Sequence, residues 1–323
     1  MGVNISEILV SEQIELPSLS GKVLAIDALN MIYQFLGNIR QADGTPLMDS
    51  KGQVTSHLSG LFYRNINFLE RGLKLVYVFD GKPPEAKRSE LDSRMEARTN
   101  AKEKWEKAME EGRLEEARKY AQRSAVVSDE MVEESKKLLE CMGIPVIQAK
   151  SEGEAQCAKI CQDGKAYAAV TQDFDSLLFG CPKTIRNLSV SKAETLQMIE
   201  LARQKLTRKQ LIMIGLLVGT DYNPKGVSGI GPKKALALVE KFGTLEEIKK
   251  QVAWEFEIEM EDLFEFFMNP PVEETYDIVF GRPDREKVIG LLCKEHDFSE
   301  DRVNKGLDKL EMKKPAQTNL LGF

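Results

Sequence analysis

The sequence predicts an α/β fold in which a mostly parallel central sheet is flanked by helices, and three observations lead there. Four short apolar runs rich in β-branched or aromatic residues, at 23–26, 75–79, 144–147 and 168–171, read as buried strands. Helical patterns separate them, the alternation that builds parallel sheets. Acidic residues stand just past the ends of these strands, on what would be one edge of the sheet.

The first strand ends at Asp27 and leads into a helix whose Met31, Ile32, Phe35 and Leu36 surround Tyr33. Tyr33 is therefore either a core residue or a ring offered to a nucleobase. The second strand ends at Asp80, and Pro83-Pro84 breaks the chain before a charged helical excursion over about 84–130, with Gly112 as its corner. Lys87, Arg94, Arg98 and Lys102 recur there at spacings of seven, four and four, which puts them on one helix face.

Glu152 and Glu154 follow the third strand and open a helix, and Asp173 and Asp175 follow the fourth. From 207 to 243 the pattern is helix, turn, helix: Thr207 is a good N-cap, Gly229-Ile230-Gly231-Pro232 opens the second helix, and Gly243 closes it. Exposed backbone N–H groups at Gly229 and Gly231, with Lys233 and Lys234 beside them, suit a DNA phosphate, although a plain tight turn gives the same pattern. We expect one folded body over residues 1–310 and a flexible tail over 311–323.

With 323 residues, 42% of them hydrophobic, the chain can bury an ordinary core. No run approaches the roughly 20 apolar residues that span a bilayer, and the N-terminus lacks a signal pattern, so a cytoplasmic monomer without a membrane partner is expected. Five cysteines without C-x-x-C spacing and only two histidines argue for reduced thiols rather than zinc. A net charge of −6 conceals an uneven distribution: residues 203–241 hold eight basic side chains against two acidic ones. The acidic total comes largely from 254–311, so the pI of about 5.4 does not exclude nucleic acid.

In an open parallel sheet, ligands bind beyond the carboxyl ends of the strands, so Asp27, Asp80, Glu152, Glu154, Asp173 and Asp175 should converge on one crevice. Carboxylates so crowded repel one another unless hard, oxygen-preferring cations neutralise them, which implies magnesium or manganese. Two such ions about 4 Å apart can clamp a scissile phosphate, and phosphodiester hydrolysis fits. Each acid alone has a structural reading. Ser151 and Glu154 match a capping box, Asp173 and Asp175 a post-strand turn, and Arg94 an i,i+4 partner of Glu90. The set is what points to chemistry.

Five motifs carry a resemblance to a known family: Val23-Leu24-Ala25-Ile26-Asp27-Ala28, the run from Val76 to Pro84, Glu152-Gly153-Glu154-Ala155-Gln156, Thr171-Gln172-Asp173-Phe174-Asp175 and Gly219-Thr220-Asp221-Tyr222. From residue 1 to at least 243 the chain resembles the flap endonucleases, structure-specific 5′ nucleases with a PIN-like fold. Its short length looks more like the archaeal members. The resemblance implies 5′ flap cleavage with associated 5′–3′ exonuclease activity, in replication (Okazaki fragment maturation) and repair. It implies that Asp27, Asp80, Glu152 and Glu154 hold one magnesium ion and that Asp173, Asp175 and Asp221 complete a second, with manganese able to substitute. Lys87 and Arg94 match the catalytic basic pair of the family's helical arch, Tyr33 its stacking tyrosine, and Gly2 its processed N-terminus.

Further implications concern DNA and partners. Arg98 continues the basic arch face, and the segment around Thr55 looks like a pocket for a one-nucleotide 3′ flap. Gly229, Gly231, Lys233 and Lys234 match a helix-hairpin-helix, a type of element that also binds potassium through backbone carbonyls. Gln317, Leu320 and Phe323 match the spacing of a sliding-clamp motif, except that one aromatic stands where the family has two. Competing readings are a related 5′–3′ exonuclease or junction nuclease, a catalytically inactive clamp accessory, and an aspartate-nucleophile phosphatase using Asp27 or Asp173-x-Asp175.

Overall fold

The computed structural model describes residues 2–82, 84, 87–188 and 195–311, without the side chains of residues 88, 89 and 195. Its strands are β1 (Glu12–Glu15), β2 (Val23–Asp27), β3 (Lys74–Phe79), β4 (Val146–Gln148), β5 (Ala168–Val170), β6 (Lys183–Arg186) and β7 (Thr195–Glu200). They form one sheet in the order β1-β7-β6-β5-β2-β3-β4. From β6 to β4 every neighbouring pair is parallel, and β7 alone runs against its neighbours β6 and β1. The four expected strands are β2 to β5, with ends shifted by one or two residues.

The central strands β2, β3 and β5 are buried on both faces, so they alternate between two cores rather than between core and water. Leu75, Tyr77 and Phe79 of β3, with Leu24 and Ile26 of β2, face one core; Val76, Val78 and Ala25 face the other. The first core is completed by α1 (Ala28–Asn38), α2 (Ser56–Glu70) and α5 (Asp129–Cys141). The second packs beneath α6 (Gly153–Gln162), α7 (Asp175–Leu178), α8 (Arg208–Val218) and α9 (Pro232–Phe242). Fully burying each large apolar side chain contributes about 1.5–3 kcal/mol, and Tyr77 is accommodated because its hydroxyl donates to Asn65 Oδ1 at 2.8 Å.

Between β3 and α5 the chain leaves the sheet as a helical hairpin, α3 (Arg88–Glu110) and α4 (Leu114–Arg123). Gly112 turns it at φ +70°, and Ala101, Ala108, Ala117 and Ala121 are buried, which lets the two helices approach closely. At the other end of the sheet's sequence, Thr207 caps α8 in a full capping box with Gln210, and Gly243 ends α9 in the left-handed conformation. The remaining helices, α10 (Leu245–Lys249), α11 (Met260–Met268), α12 (Arg285–Ile289) and α13 (Glu300–Glu311), are divided between the cores: α10 and α11 join the second, and α12 and α13 join the first. The tail residues Gln317, Leu320 and Phe323 lie outside the described residues. No helix among the described residues is long and apolar enough to cross a membrane.

Candidate active site

Strand order reverses around β2: the chain builds outward through β3 to β4, then crosses back to add β5 and β6 on the other side. The crevice beyond the strand ends at such a point is where α/β sheets bind ligands. Asp27 terminates β2, Asp80 follows β3, Glu152 and Glu154 follow β4, and Asp173 and Asp175 follow β5. Asp221 arrives from the turn after α8, where Gly219 (φ +112°) reverses the chain.

All seven carboxylates line a single cavity of about 180 Å³, together with Tyr33, Lys87, Arg94 and Arg98. Six of the seven acids accept from donors of the sheet and helices around them. Asp27 accepts from the Asn30 N–H (2.9 Å), Asp80 from the Gly153 N–H (2.8 Å) and Asp175 from the Val3 N–H (2.7 Å). Asp173 accepts from the Gly2 N–H (3.2 Å) and the Asn30 side-chain amide (3.1 Å). Glu154 accepts from Thr171 Oγ1 (3.0 Å) and Glu152 from the Tyr222 hydroxyl (2.8 Å). Gly2 fits here because it is glycine: a Cβ would stand 2.7 Å from Asp175 Oδ2.

The basic pair closes the site from the arch. Lys87, just before α3, donates to Glu152 Oε2 at 2.8 Å and lies 3.2 Å from Asp221 Oδ2. Arg94 pairs with Asp221 while keeping the i,i+4 bond to Glu90 at 2.9 Å, so its helix partner does not draw it away from the carboxylates of the cavity. Arg98 stacks on the Tyr33 ring, 4.5 Å from its centre, and this leaves Tyr33 half-buried at the cavity rather than in the core.

Electrostatics show how short of positive charge the site is. Burial, and then Asp80, push the Asp27 carboxyl well above its usual range; burial and the neighbours Asp175, Asp173 and Asp27 do the same to Glu154. Burial and Glu152 raise Asp80 to about 6, and burial and Asp221 raise Asp175 to about 7. Burial opposes the charge on Lys87, but Glu152 and Asp221 outweigh it and hold the ammonium above its ordinary range. Seven carboxylates face three side-chain cations around the cavity, a shortfall equal to the charge of two divalent ions. An all-oxygen donor set with that deficit fits hard divalent metals. In this conformation the acids point to local donors and to Lys87 and Arg94, and no three His, Cys, Asp or Glu side chains among the described residues converge on one ion position.

The capping-box alternative for Ser151 and Glu154 is not what forms: Glu152 is the N-cap of α6 without a side-chain cap bond, and Ser151 Oγ has no hydrogen-bond partner. The other expected residues lie elsewhere. Thr55, buried at the start of α2, lines a separate cavity of about 440 Å³. Gly229, Gly231, Lys233 and Lys234 are exposed in the loop before α9 and its first turn, away from the lining of the carboxylate cavity. Lys234 donates to the Gly229 carbonyl at 2.9 Å, and Lys233 is 81% exposed. Part of the positive charge of 203–241 already has partners in the chain: Arg203 pairs at the surface with Glu12 and Glu200, and Arg208 donates to the carbonyls of Leu178, Phe267 and Met268. Asn30, Thr171 and Tyr222 were not expected at the site. The spacing of Asn30 and Tyr33, three residues apart on α1, and the adjacency of Tyr222 to Asp221 were the available signals.

A carboxylate-lined switch point roofed by a basic helical hairpin places this molecule among the PIN-like 5′ nucleases. The chain matches the XPG N-terminal domain over residues 1–101, the XPG I-region over 143–221 and a SAM-like helix-hairpin-helix tandem over 224–259. It is 53% identical to flap endonuclease 1 of Pyrococcus furiosus, covering 96% of this chain and 95% of that protein, and 49% identical to that of Staphylothermus marinus over 96% and 94%. The structure of flap endonuclease-1 from Methanococcus jannaschii superposes with a TM-score of 0.78 at 39% identity, covering 96% of this chain and 98% of that one. The catalytic core of Rad2 in complex with a DNA substrate gives 0.70 at 26% identity, over 93% and 96%. The chain belongs to the flap endonuclease 1 family.

Proposed function

We propose that this chain is a structure-specific 5′ flap endonuclease with associated 5′–3′ exonuclease activity, acting on branched DNA in replication and repair. One observation carries the reading: seven carboxylates, Lys87, Arg94, Arg98 and Tyr33 line the same cavity at the switch point of the sheet.

Asp27, Asp80, Glu152 and Glu154 would hold one divalent ion, and Asp173, Asp175 and Asp221 would complete the second. Bound there, magnesium or manganese supplies Lewis acidity at the scissile phosphate and acidifies a water for attack. The chain's own groups do the rest. Lys87 and Arg94, which now neutralise Glu152 and Asp221, exchange those partners for the phosphoryl oxygens and stabilise their developing charge. Tyr33, its ring already backed by the Arg98 guanidinium, offers its other face to a base beside the cut. Asn30 fixes Asp27 and Asp173 together, and Tyr222 orients Glu152.

Away from the chemistry, Gly229, Gly231, Lys233 and Lys234 would hold the phosphates of a flanking duplex. Carbonyl oxygens of the same loop would hold potassium, in competition with the Lys234 ammonium on Gly229. Thr55 belongs to a site for the 3′ end of the DNA, and the tail residues Gln317, Leu320 and Phe323 to a sliding-clamp contact. We take residues 1–310 as one nuclease domain of a cytoplasmic monomer, with the arch over about 84–130 and the helix-hairpin-helix over about 207–243.

The test is a labelled double-flap DNA incubated with and without magnesium, beside single-stranded and intact duplex controls and an Asp173→Ala variant. Magnesium-dependent cutting at the flap base, absent in the variant, is the expected result. Degradation of the duplex from its 5′ end with the flap left intact would transfer the site to an exonuclease. No cutting with either metal would overturn the enzymatic reading.

A further inference from the structure

The carboxylate cavity stands between two others. A larger one, of about 950 Å³, shares Tyr33, Arg94, Arg98 and Asp173 with it, and a smaller one, of about 290 Å³, shares Leu29, Asp80, Lys87, Leu91 and Glu152. These two have no lining residue in common, so they open from different sides of the carboxylates. At about 180 Å³, the middle cavity has room for a phosphate and its ions but not for the nucleosides on either side of that phosphate. The nucleosides must leave in the two directions that the neighbouring cavities offer.

The neighbours differ in chemistry. Arg94, Arg98, Lys104 and Arg123 line the larger cavity against Glu90 and Asp173, a surplus of positive charge that suits a run of phosphates. The smaller cavity adds no cation of its own to the Lys87 it shares, and Lys87 is paired with Glu152 and Asp221. A phosphate has no free partner there. Its apolar walls are Leu29, Phe79, Leu91 and Val132, and its own polar side chains are Asp129, exposed at the start of α5, and Ser151. An apolar slot with a few polar groups, close to the roughly 300 Å³ at which pockets begin to hold a small ligand, suits one neutral ring rather than a length of strand.

Two of these side chains are incompletely satisfied without a ligand. Leu91 is 38% exposed and stands on α3 four residues after Lys87 and three before Arg94, the spacing that keeps all three on the cavity side of the helix. Ser151 is buried, and its hydroxyl has no hydrogen-bond partner, a state that costs free energy until a donor or acceptor reaches it. A base laid against Leu91 covers the exposed apolar surface, and a ring nitrogen or exocyclic group at its edge supplies the missing partner.

We propose that the pocket of Leu29, Phe79, Leu91, Val132 and Ser151 is a nucleobase subsite, which takes the base across the scissile phosphate from Tyr33. The inference rests on the reading of the carboxylate cavity as a nuclease centre. Tyr33 and this pocket then hold the two bases that flank the cut, one by stacking and one by enclosure, and the phosphate between them is drawn over the carboxylates. A base leaves its stack most readily where pairing is already interrupted, so the subsite favours cutting at a junction over cutting within an intact duplex.

Double-flap DNA carrying a tetrahydrofuran abasic residue at one or the other of the two nucleotides flanking the scissile phosphate tests the assignment. We would measure kcat/KM on both substrates and on the unmodified flap for wild type, Val132→Phe, Leu91→Ala and Tyr33→Ala. Wild type should lose about tenfold at either abasic position, the scale of one base packed on a protein wall. Val132→Phe fills the pocket from α5, outside the carboxylate cavity, and should abolish the discrimination at one position only. Leu91→Ala should weaken it at that same position, and Tyr33→Ala should abolish it at the other. Binding is read separately, with calcium in place of magnesium and 2-aminopurine at the pocket's position: emission should rise severalfold with wild type as the base leaves its stack, and stay low with Val132→Phe. Val132→Phe that discriminates as wild type does at both positions, or that acts at the same position as Tyr33→Ala, overturns the subsite. If Val132→Phe does not fold, wild-type discrimination in Leu91→Ala together with flat emission in wild type overturns it equally. A 2-aminopurine signal that follows the prediction while wild type leaves every flap uncut in magnesium supports the subsite and overturns the nuclease reading.

Discussion

Lys87 and Arg94 sit on carboxylates in this structure, and that placement makes them replaceable counterions as well as catalytic candidates. Lys87→Met should slow single-turnover flap cleavage about a hundred- to a thousand-fold, the scale of one lost transition-state donor, while DNA affinity changes little. Equal losses in rate and affinity would instead make Lys87 a binding residue. The acids carry a second prediction. Asp80 and Asp175 have folded values of about 6 and about 7, above the value of about 3.9 of an unfolded aspartate. Between those limits the unfolded chain has released protons that the folded chain retains, so stability of the metal-free protein falls as pH rises through that window. Magnesium should therefore raise the melting temperature more at about pH 7.5 than at about pH 5; an equal increment at both would refute the linkage. Six of the seven acids were legible because each follows a recognisable strand. Asp221 follows a helix, where no topological rule points, and was found by resemblance. Asn30 and Tyr222 act through atoms that only the tertiary contact reveals.

At the scale of elements, the strands that were legible are those marked by a short apolar run, and β2, β3 and β5 carry such runs because both their faces are buried. The sheet's other edge was not legible, because β1 (Glu-Gln-Ile-Glu), β6 (Lys-Thr-Ile-Arg) and β7 mix polar and apolar residues over six positions or fewer. Such short amphipathic runs acquire their conformation from pairing with one another, as Ile14 opposite Leu196 and Ile185 opposite Met198 show. The arch was legible as helix from composition and Gly112, whereas its closeness depends on buried alanines that a composition count does not place. Ala108 is fully buried, so Ala108→Leu should strain the hairpin by about 1–3 kcal/mol. Proteolysis within 88–123 should accelerate at least about tenfold and flap cleavage should fall, with the body's melting transition kept. An unchanged proteolysis rate would mean that the two helices do not pack through this seam in solution.

For the whole molecule, a net charge of −6 and a nucleic-acid substrate are reconciled by where the charges lie, and the two descriptions can be told apart by experiment. Lys233 and Lys305 are comparably exposed, at 81% and 71%, and replacing either with alanine makes the same change in net charge. Lys233 begins α9 behind Gly229 and Gly231, with Glu7 no closer than 3.6 Å, whereas Lys305 pairs with Asp301 at 2.8 Å on α13. If binding responds to total charge, the two variants weaken it alike. If it responds to phosphates held at the helix-hairpin-helix, Lys233→Ala should make the slope of log affinity against log salt shallower by about one, and Lys305→Ala should leave it unchanged. The comparison is made with flap DNA in calcium, or in the Asp173→Ala background, so that cleavage does not deplete the complex. Identical slopes in the two variants would remove this loop from the DNA interface and leave the arch and the carboxylate cavity as the contacts that define the substrate.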